Sequence, residues 1–288
     1  MPAVEVVPRR GLPRSPLRYP GGKASLAGFF NTVIARRGLD TYVEPYAGGA
    51  GAAIELLLTD SVGKIIINDL DPAIYCFWYA VTHESSKFLD RLADTPLTLD
   101  EWRAQQEIYR AKDKTDSLAL GFSTFYLNRT NRSGVMNAGV IGGQRQQGRY
   151  LIDARYDKDS LAKRISAISD QCHRIKVTND DGVITIRQAM RRKAALVYAD
   201  PPYYAKGSFL YLNSFNDAEH EKLAFVLNLN SNRNWILTYD DHSKIRALYA
   251  GRKHFTYKLH YSAHQRTQVA ELMVISDSLS TSVASSAT

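Results

Sequence analysis

Cysteine is scarce in this 288-residue chain, with Cys76 and Cys172 the only two. Two thiols build neither a disulfide framework nor a cysteine-rich metal site, and they fit a reducing compartment. Long apolar runs are missing as well. Nothing approaches the roughly 20 residues that a membrane-spanning helix requires, and the longest stretches, 196–199 and 235–237, have the size of buried strands. The start, MPAVEVVPRRGLPRSP, has no apolar h-region, so residues 1–15 read as a loose basic arm rather than a signal peptide. The seven histidines show no metal-ligand spacing, and neither H-x-E nor P-C-x-x-C of the zinc base deaminases occurs. Acidic charge is the minority, 29 Asp and Glu against 37 Lys and Arg, and the net +8 favours a polyanionic partner. The expectation is a cytoplasmic protein with no membrane and no metal.

What is present is an alternation of short apolar runs and helical stretches. The runs 41–43, 64–68 (KIIIN) and 194–199 (AALVYA) are continuous rather than alternating, as strands covered on both faces are. Two more follow at 234–239 (NWILTY) and 268–275 (QVAELMVI). Helices are expected at 52–59, at 73–81 behind a proline at its first position, and at 218–229 behind Asp217 as N-cap. This order predicts an α/β fold with a mostly parallel, doubly wound sheet. Between residues 82 and 175 strands are scarce and 100–109 and 117–127 look helical, which marks an insertion. Residues 16–81 and 176–275 would form the main domain. The Ser/Thr/Ala-rich end, 276–288, is expected to be disordered.

Chemistry concentrates where the runs end. EPYAGGAG, residues 44–51, follows a strand and opens a helix, so its glycines allow close backbone approach to a ligand. A second strand ends at Asp69, placed to accept a ribose hydroxyl. These features specify a nucleotide-like cofactor, either a dinucleotide or S-adenosyl-L-methionine. Tyr46, standing where a dinucleotide fingerprint wants glycine, favours the methyl donor. The third strand ends in Asp200-Pro201-Pro202-Tyr203. Two prolines fix φ and remove two donors, leaving rigid carbonyl acceptors beside a carboxylate and an aromatic ring. Such a site suits an exocyclic amine on a flat base.

The motifs PLRYPGGK (16–23), YVEPYAGGAG (42–51), NDLDP (68–72) and DPPY (200–203), in this order, resemble the Dam-type, alpha-group DNA adenine-N6 methyltransferases over about residues 16 to 275. The resemblance implies a Rossmann-like methyltransferase fold with an inserted, mainly helical target-recognition domain at 82–175. It also implies S-adenosyl-L-methionine as cofactor and double-stranded DNA as substrate. It assigns Tyr19, Lys23, Glu44, Pro45, Tyr46, Gly48, Asp69 and Asp200 to the cofactor pocket. An acidic position for the cofactor adenine falls at Asp180 or Asp181, with Asp181 preferred, although Gly182 stands where the family often has Phe. Asp200 and the Pro201 carbonyl would accept the two N–H bonds of a flipped-out adenine, and Tyr203 would stack on it. His220 resembles a position often seen in the family. A cognate restriction endonuclease is a partner the resemblance implies; a monomer is expected because no coiled-coil repeat is present.

The insertion reads as the DNA reader. From Arg129 to Arg164 there are eight Lys and Arg against three Asp. Within FYLNRTNRSGVMNAGVIGGQRQQGRY, Asn128, Arg129, Asn131, Arg132, Asn137, Gln144, Arg145 and Arg149 are the residue types that pair with base edges or phosphates. FYLNR matches the start of the family's target-recognition region. The NRSGVMNAGVIGG that follows departs from the GATC-specific version, so the resemblance does not extend to a GATC site. Tyr204, Lys206 and Tyr211 are expected to form a lid.

Other readings differ in particular residues. Cytosine-N4 enzymes usually carry Ser where Asp200 stands, and methylation at cytosine carbon 5 needs a Pro-Cys loop that is missing. Adenine-N6 methylation of RNA fits the Asn/Arg-rich reader less well. An inactive DNA-binding protein would not need an intact DPPY, and an NAD-dependent oxidoreductase leaves DPPY unexplained.

Overall fold

The structure is a computed structural model that describes residues 14–19, 22–204, 215–260 and 268–280. Seven strands form one sheet: β1 (Thr41–Glu44), β2 (Lys64–Asn68), β3 (Ile175–Thr178), β4 (Ala195–Ala199), β5 (Trp235–Asp240), β6 (Lys253–His260) and β7 (Gln268–Ile275). Their spatial order is β3-β2-β1-β4-β5-β7-β6, parallel from β3 to β5, with β7 antiparallel between β5 and β6. The chain turns outward in both directions from β1 and β4, so their carboxyl ends sit at the switch point where open α/β sheets bind ligands.

The five anticipated strands are present. The two not anticipated are β3 and β6, both at the sheet's edges, where polar residues interrupt the apolar pattern (IKVT and KHFTYKLH). The central strands are buried along their whole length, as their unbroken apolar sequences require.

Helices cover both faces. On one lie α1 (Ala27–Arg37), α2 (Gly51–Leu58) and α3 (Pro72–His83); on the other lie α8 (Gly182–Ala189), α9 (Asp217–Leu229) and α10 (Ser243–Leu248). Asp71 caps α3 by accepting from Ala73 N at 2.9 Å, with Pro72 at the first helical position. Asn216, rather than Asp217, caps α9, in a reciprocal capping box with Glu219.

The insertion contains α4 (Ser85–Asp94), α5 (Leu99–Ala111), α6 (Ser117–Thr130) and α7 (Lys158–Ser169). Its apolar centre is continuous with the first face of the sheet: Phe77 of α3 stacks with Phe125 of α6 and meets Phe88 of α4 edge-on. Gly121 lets α6 lie against α3, since a Cβ there would come within 2.5 Å of the Cys76 carbonyl oxygen. Residues 85–169 are therefore packed directly against α3 of the sheet's first face.

Two boundaries move. Arg14 and Ser15 are tied down, by Arg14 Nη1 donating to Leu58 O and Ser15 Oγ to Gly49 O. At the other end, 276–280 is folded rather than loose, because Leu279 is fully buried and Ser278 Oγ donates to Arg233 O.

Candidate active site

Side chains alternate along a strand, and that rule decides what meets at the carboxyl edge. Tyr42 and Glu44 of β1, Tyr198 and Asp200 at the end of β4, Thr238 of β5, Tyr257 of β6 and Glu271 of β7 all lie toward the α1–α3 face. The sheet register places Thr238 beside Asp200, since Ala199 pairs with Leu237, and places Glu271 opposite Asp240 and Tyr257.

Asp200 is held from two sides. Its Oδ1 accepts from Thr238 Oγ1 at 2.7 Å, and Thr238 Oγ1 lies 2.7 Å from Tyr198 OH. Its Oδ2 lies 3.1 Å from Lys23 Nζ, which is delivered by the helical turn Lys23–Leu26 before α1. Lys23 is only 6% exposed, donates to Tyr203 OH at 2.8 Å and lies 3.4 Å from Glu271 Oε2. Glu271 is fully buried and accepts from the phenols of both Tyr203 and Tyr257. Burial pushes the Asp200 carboxyl above the usual range, Lys23 pulls it down, and Glu271 pushes it up again.

Around the switch point the cofactor candidates converge. Glu44 is buried, accepts from Ala53 N at 3.0 Å in the first turn of α2, and is pushed by burial to about 8. Asp69 accepts from Gly48 N at 2.8 Å and Asp71 N at 2.9 Å; burial nevertheless raises it to about 6. Gly48 has φ +46°, and the Tyr19 ring lies so close that a Cβ there would come within 2.7 Å of it. Asn68 ties the strand ends together: its Nδ2 donates to Pro45 O and Asp180 O, and its Oδ1 accepts from Asp180 N and Thr178 Oγ1.

On the opposite face Tyr46 lies against Gly182, where a Cβ would sit 2.3 Å from the ring. The tyrosine thus fills the space a side chain at 182 would occupy. Asp181 caps α8 through Val183 N at 2.7 Å and pairs with Lys222 Nζ at 2.9 Å. Its neighbour Asp180 is committed to Asn68 through its backbone. His220 is buried, with Nδ1 2.8 Å from Tyr239 OH.

The expected reader set divides in two. Asn128 and Asn131 face inward, correcting the expectation that they contact DNA. Asn128 accepts from Arg18 N and donates to Arg18 O and Gly134 O; Asn131 accepts from Trp102 Nε1 and donates to Val135 O and Met136 O. Arg129 is 8% exposed, which removes it from any direct reading of base edges. Burial first, and then the charges of Arg164, Arg18 and Arg155, bring its guanidinium down to about 9. Its Nε has no hydrogen-bond partner among the described residues. Arg132, Asn137, Gln144, Arg145 and Arg149 are exposed and remain on the surface.

Tyr203 needs a correction too. It is 4% exposed with its hydroxyl bound, so no face is open for stacking in this arrangement. Tyr204 donates through its hydroxyl to Asp217 at 2.7 Å, while Lys206 and Tyr211 lie outside the described residues, as do Pro20, Gly21 and His264. Among the described residues, no three His, Cys, Asp or Glu are grouped to hold a metal ion, and no helix is long and apolar enough to cross a membrane.

The model of the D12 class N6 adenine-specific DNA methyltransferases matches residues 19–268. The chain belongs to that family. This methyltransferase is also 22% identical, over 228 residues, to the Type II methyltransferase M.MjaIII of Methanocaldococcus jannaschii, covering 72% of the chain and 77% of the relative. Its structure overlaps an rRNA methyltransferase, aviRa from Streptomyces viridochromogenes, with a TM-score of 0.39 and 15% identity over 95% and 96% of the two chains. An overlap that low bears on neither substrate nor mechanism.

Four residues of the methyltransferase's site, Glu271, Thr238, Tyr198 and Tyr257, escaped the motif reading. Glu271 left a trace in the sequence, as the single acid inside the apolar strand QVAELMVI. Tyr198 and Thr238 read as ordinary strand residues and Tyr257 lies in the unanticipated β6, so only the register of β4, β5, β6 and β7 brings them to Asp200.

Proposed function

We propose that this adenine-N6 DNA methyltransferase uses S-adenosyl-L-methionine, flips an adenine out of double-stranded DNA at a specific short sequence, and methylates its exocyclic amine. The observation that carries the reading is Asp200 at the switch point, with one oxygen on Thr238 and the other on Lys23. Each carboxylate oxygen keeps a lone pair for an incoming donor. Asp200 and the Pro201 carbonyl would take the two N–H bonds of adenine N6, localising a lone pair otherwise delocalised into the ring. Hydrogen bonds to a charged acceptor contribute about 1.5–3 kcal/mol each. Asp200 is then positioned to receive the proton that the methylated nitrogen sheds.

The residues present fit the cofactor. Glu44 and Asp69 are carboxyls that burial has raised to about 8 and about 6, and each would be held in its ionised form by a positive charge beside it. A ligand carrying a sulfonium and an ammonium group supplies it. Bound there, S-adenosyl-L-methionine would provide an electrophilic methyl group. Glu44 and Asp69 would hold its methionine and ribose portions, and Asp181, beside Tyr46, its adenine.

DNA binding is supported by the Arg18, Arg129, Arg155 and Arg164 cluster, whose mutual repulsion a phosphate would relieve. The exposed Arg132, Asn137, Gln144, Arg145 and Arg149 are left to read base edges. Extruding the base costs a few kcal/mol, and Tyr203 would have to be uncovered before its ring could stack on the base.

The test is methyl transfer from radiolabelled S-adenosyl-L-methionine to duplex DNA, with the product nucleosides separated. N6-methyladenine is expected from the unaltered enzyme. Asp200→Ala should lower turnover at least about 1,000-fold while changing cofactor affinity by less than about threefold. N4-methylcytosine as product, or an Asp200→Ala variant that still turns over, would overturn the reading.

A further inference from the structure

We propose that Glu271 is a positioning residue for methyl transfer, a buried counter-charge that fixes Lys23 and Tyr203 against Asp200. The proposal rests on the function just given and adds a residue that its motifs do not contain.

The geometry carries it. Glu271 lies in the middle of the network and outside reach of solvent. Its Oε1 takes the Tyr203 proton, and its Oε2 takes the Tyr257 proton and faces Lys23 Nζ at 3.4 Å. Tyr203 OH, its own proton committed to Glu271, is left as an acceptor toward Lys23 at 2.8 Å. Lys23 thereby has three fixed oxygens around one ammonium: Tyr203 OH, Glu271 Oε2 and Asp200 Oδ2. A lysine side chain is otherwise flexible, a compact charge on four rotatable carbons. Here its position is set by a strand on the far side of β5.

Two consequences follow for the reaction. Lys23 is held in line with Asp200 Oδ2, so Asp200 presents a constant direction to the adenine amine. The plane of Tyr203 is pinned at its hydroxyl, so the Pro201-Pro202 segment before it is clamped at both ends. A small displacement of such a frame reduces turnover far more than it reduces binding.

The charged and titratable groups around Asp200 are Lys23 from the turn before α1, Glu44 and Tyr42 from β1, Tyr198 from β4, Tyr203 after it, Tyr257 from β6 and Glu271 from β7, with Tyr239 acting on it from the other face of β5. Glu271 opposes ionisation of Asp200 through its charge and also draws on Lys23. Neutralising Glu271 removes the repulsion and leaves Lys23 wholly to Asp200. The acidic limb of the turnover profile, which reports Asp200 losing its negative charge, should then move to lower pH.

The experiment measures Glu271→Gln beside the unaltered enzyme, using S-adenosyl-L-methionine and duplex DNA. Expected are a kcat lower by about 10–100-fold, KM values for both substrates within about threefold, and an acidic limb displaced to lower pH. Unchanged kcat and an unchanged profile would overturn the proposal. So would a loss of activity that tracks a loss of folded protein or a rise in KM, with the limb in place. Tyr203→Phe, which cuts the same link while leaving both charges, should lower kcat without moving the limb; normal kcat in that variant also counts against the frame, including when Glu271→Gln fails to fold. If the unaltered enzyme itself transfers no methyl group to adenine, the failure belongs to the proposed function instead.

Discussion

The carboxyl edge of the sheet and the inserted region are opposite in charge and alike in construction. At the edge, Asp200 and Glu271 flank Lys23, Glu44 and Asp69 close the neighbouring strand ends, and burial raises Glu44, Asp69 and Asp200. In the insertion, Arg129 sits buried among Arg18, Arg155 and Arg164, and burial lowers it. Each group sets like charges close to a buried member, at a cost in stability to the protein alone. Each is relieved by a ligand of the other sign. The edge suits a small cation, whereas the arginines suit a polyanion. Side chains that satisfy one another stabilise a fold; those left unsatisfied mark where something else binds.

The sharpest way to break this comparison is Arg129→Met, which keeps bulk and removes charge. If the cluster meets a phosphate, DNA affinity should fall by about 100-fold and the dependence of log Kd on log salt should flatten by about one unit. Because the lost contact is to backbone, preference among sequences should stay as it is. Filter binding or fluorescence anisotropy across a salt series measures both. An unchanged slope would mean that the arginines serve the fold alone, and the likeness between the two regions would fail.

A smaller effect separates the inward from the outward half of the polar segment. Asn128 makes three hydrogen bonds to backbone, two with Arg18 at 2.7 and 2.8 Å that join the 14–19 segment to α6, and one to Gly134 O at 3.0 Å. Asn128→Ala should lower unfolding free energy by about 2–3 kcal/mol. Asn137, exposed, should leave stability within about 0.5 kcal/mol when replaced by alanine. If Asn137 reads a base edge, the same change should relax sequence preference by about 1–3 kcal/mol at one position. Chemical denaturation and methylation of a randomised DNA library distinguish the two.

That pair also shows what the sequence could and could not reveal. The central strands were legible because burial on both faces demands unbroken apolar runs such as KIIIN and AALVYA. The ends of those strands were legible because Asp69 and Asp200 stop the runs abruptly. Glu271 and Thr238 were not, since their role comes from register across β5, β6 and β7, and register is a property of pairing. The burial of Asn128 and Asn131 was hidden for a related reason. Composition says that Asn and Arg can read bases, but only packing says which way they point, and α6 turns these two toward Arg18 and Trp102.

The mildest prediction concerns protons, and it sharpens the acidic half of the comparison. Burial raises Glu44 to about 8 in the folded protein, above its ordinary value of 4.5. The folded state therefore holds a proton that the unfolded state releases, and stability falls with rising pH across the window from 4.5 to about 8. Asp69, raised from 3.8 to about 6, acts in the same direction over a narrower window. Glu44→Gln should flatten the decline of Tm between about pH 5 and pH 8. A cationic ligand beside Glu44 reverses the balance, favouring the ionised carboxylate. S-adenosyl-L-methionine should then release about one proton on binding near pH 7, read by calorimetry in buffers of different ionisation enthalpy. Glu44→Gln should abolish most of that release and weaken binding about tenfold, roughly 1.4 kcal/mol. Proton uptake on binding, or a release that persists in the glutamine variant, would show that the buried carboxyl faces something other than the cofactor's positive charge.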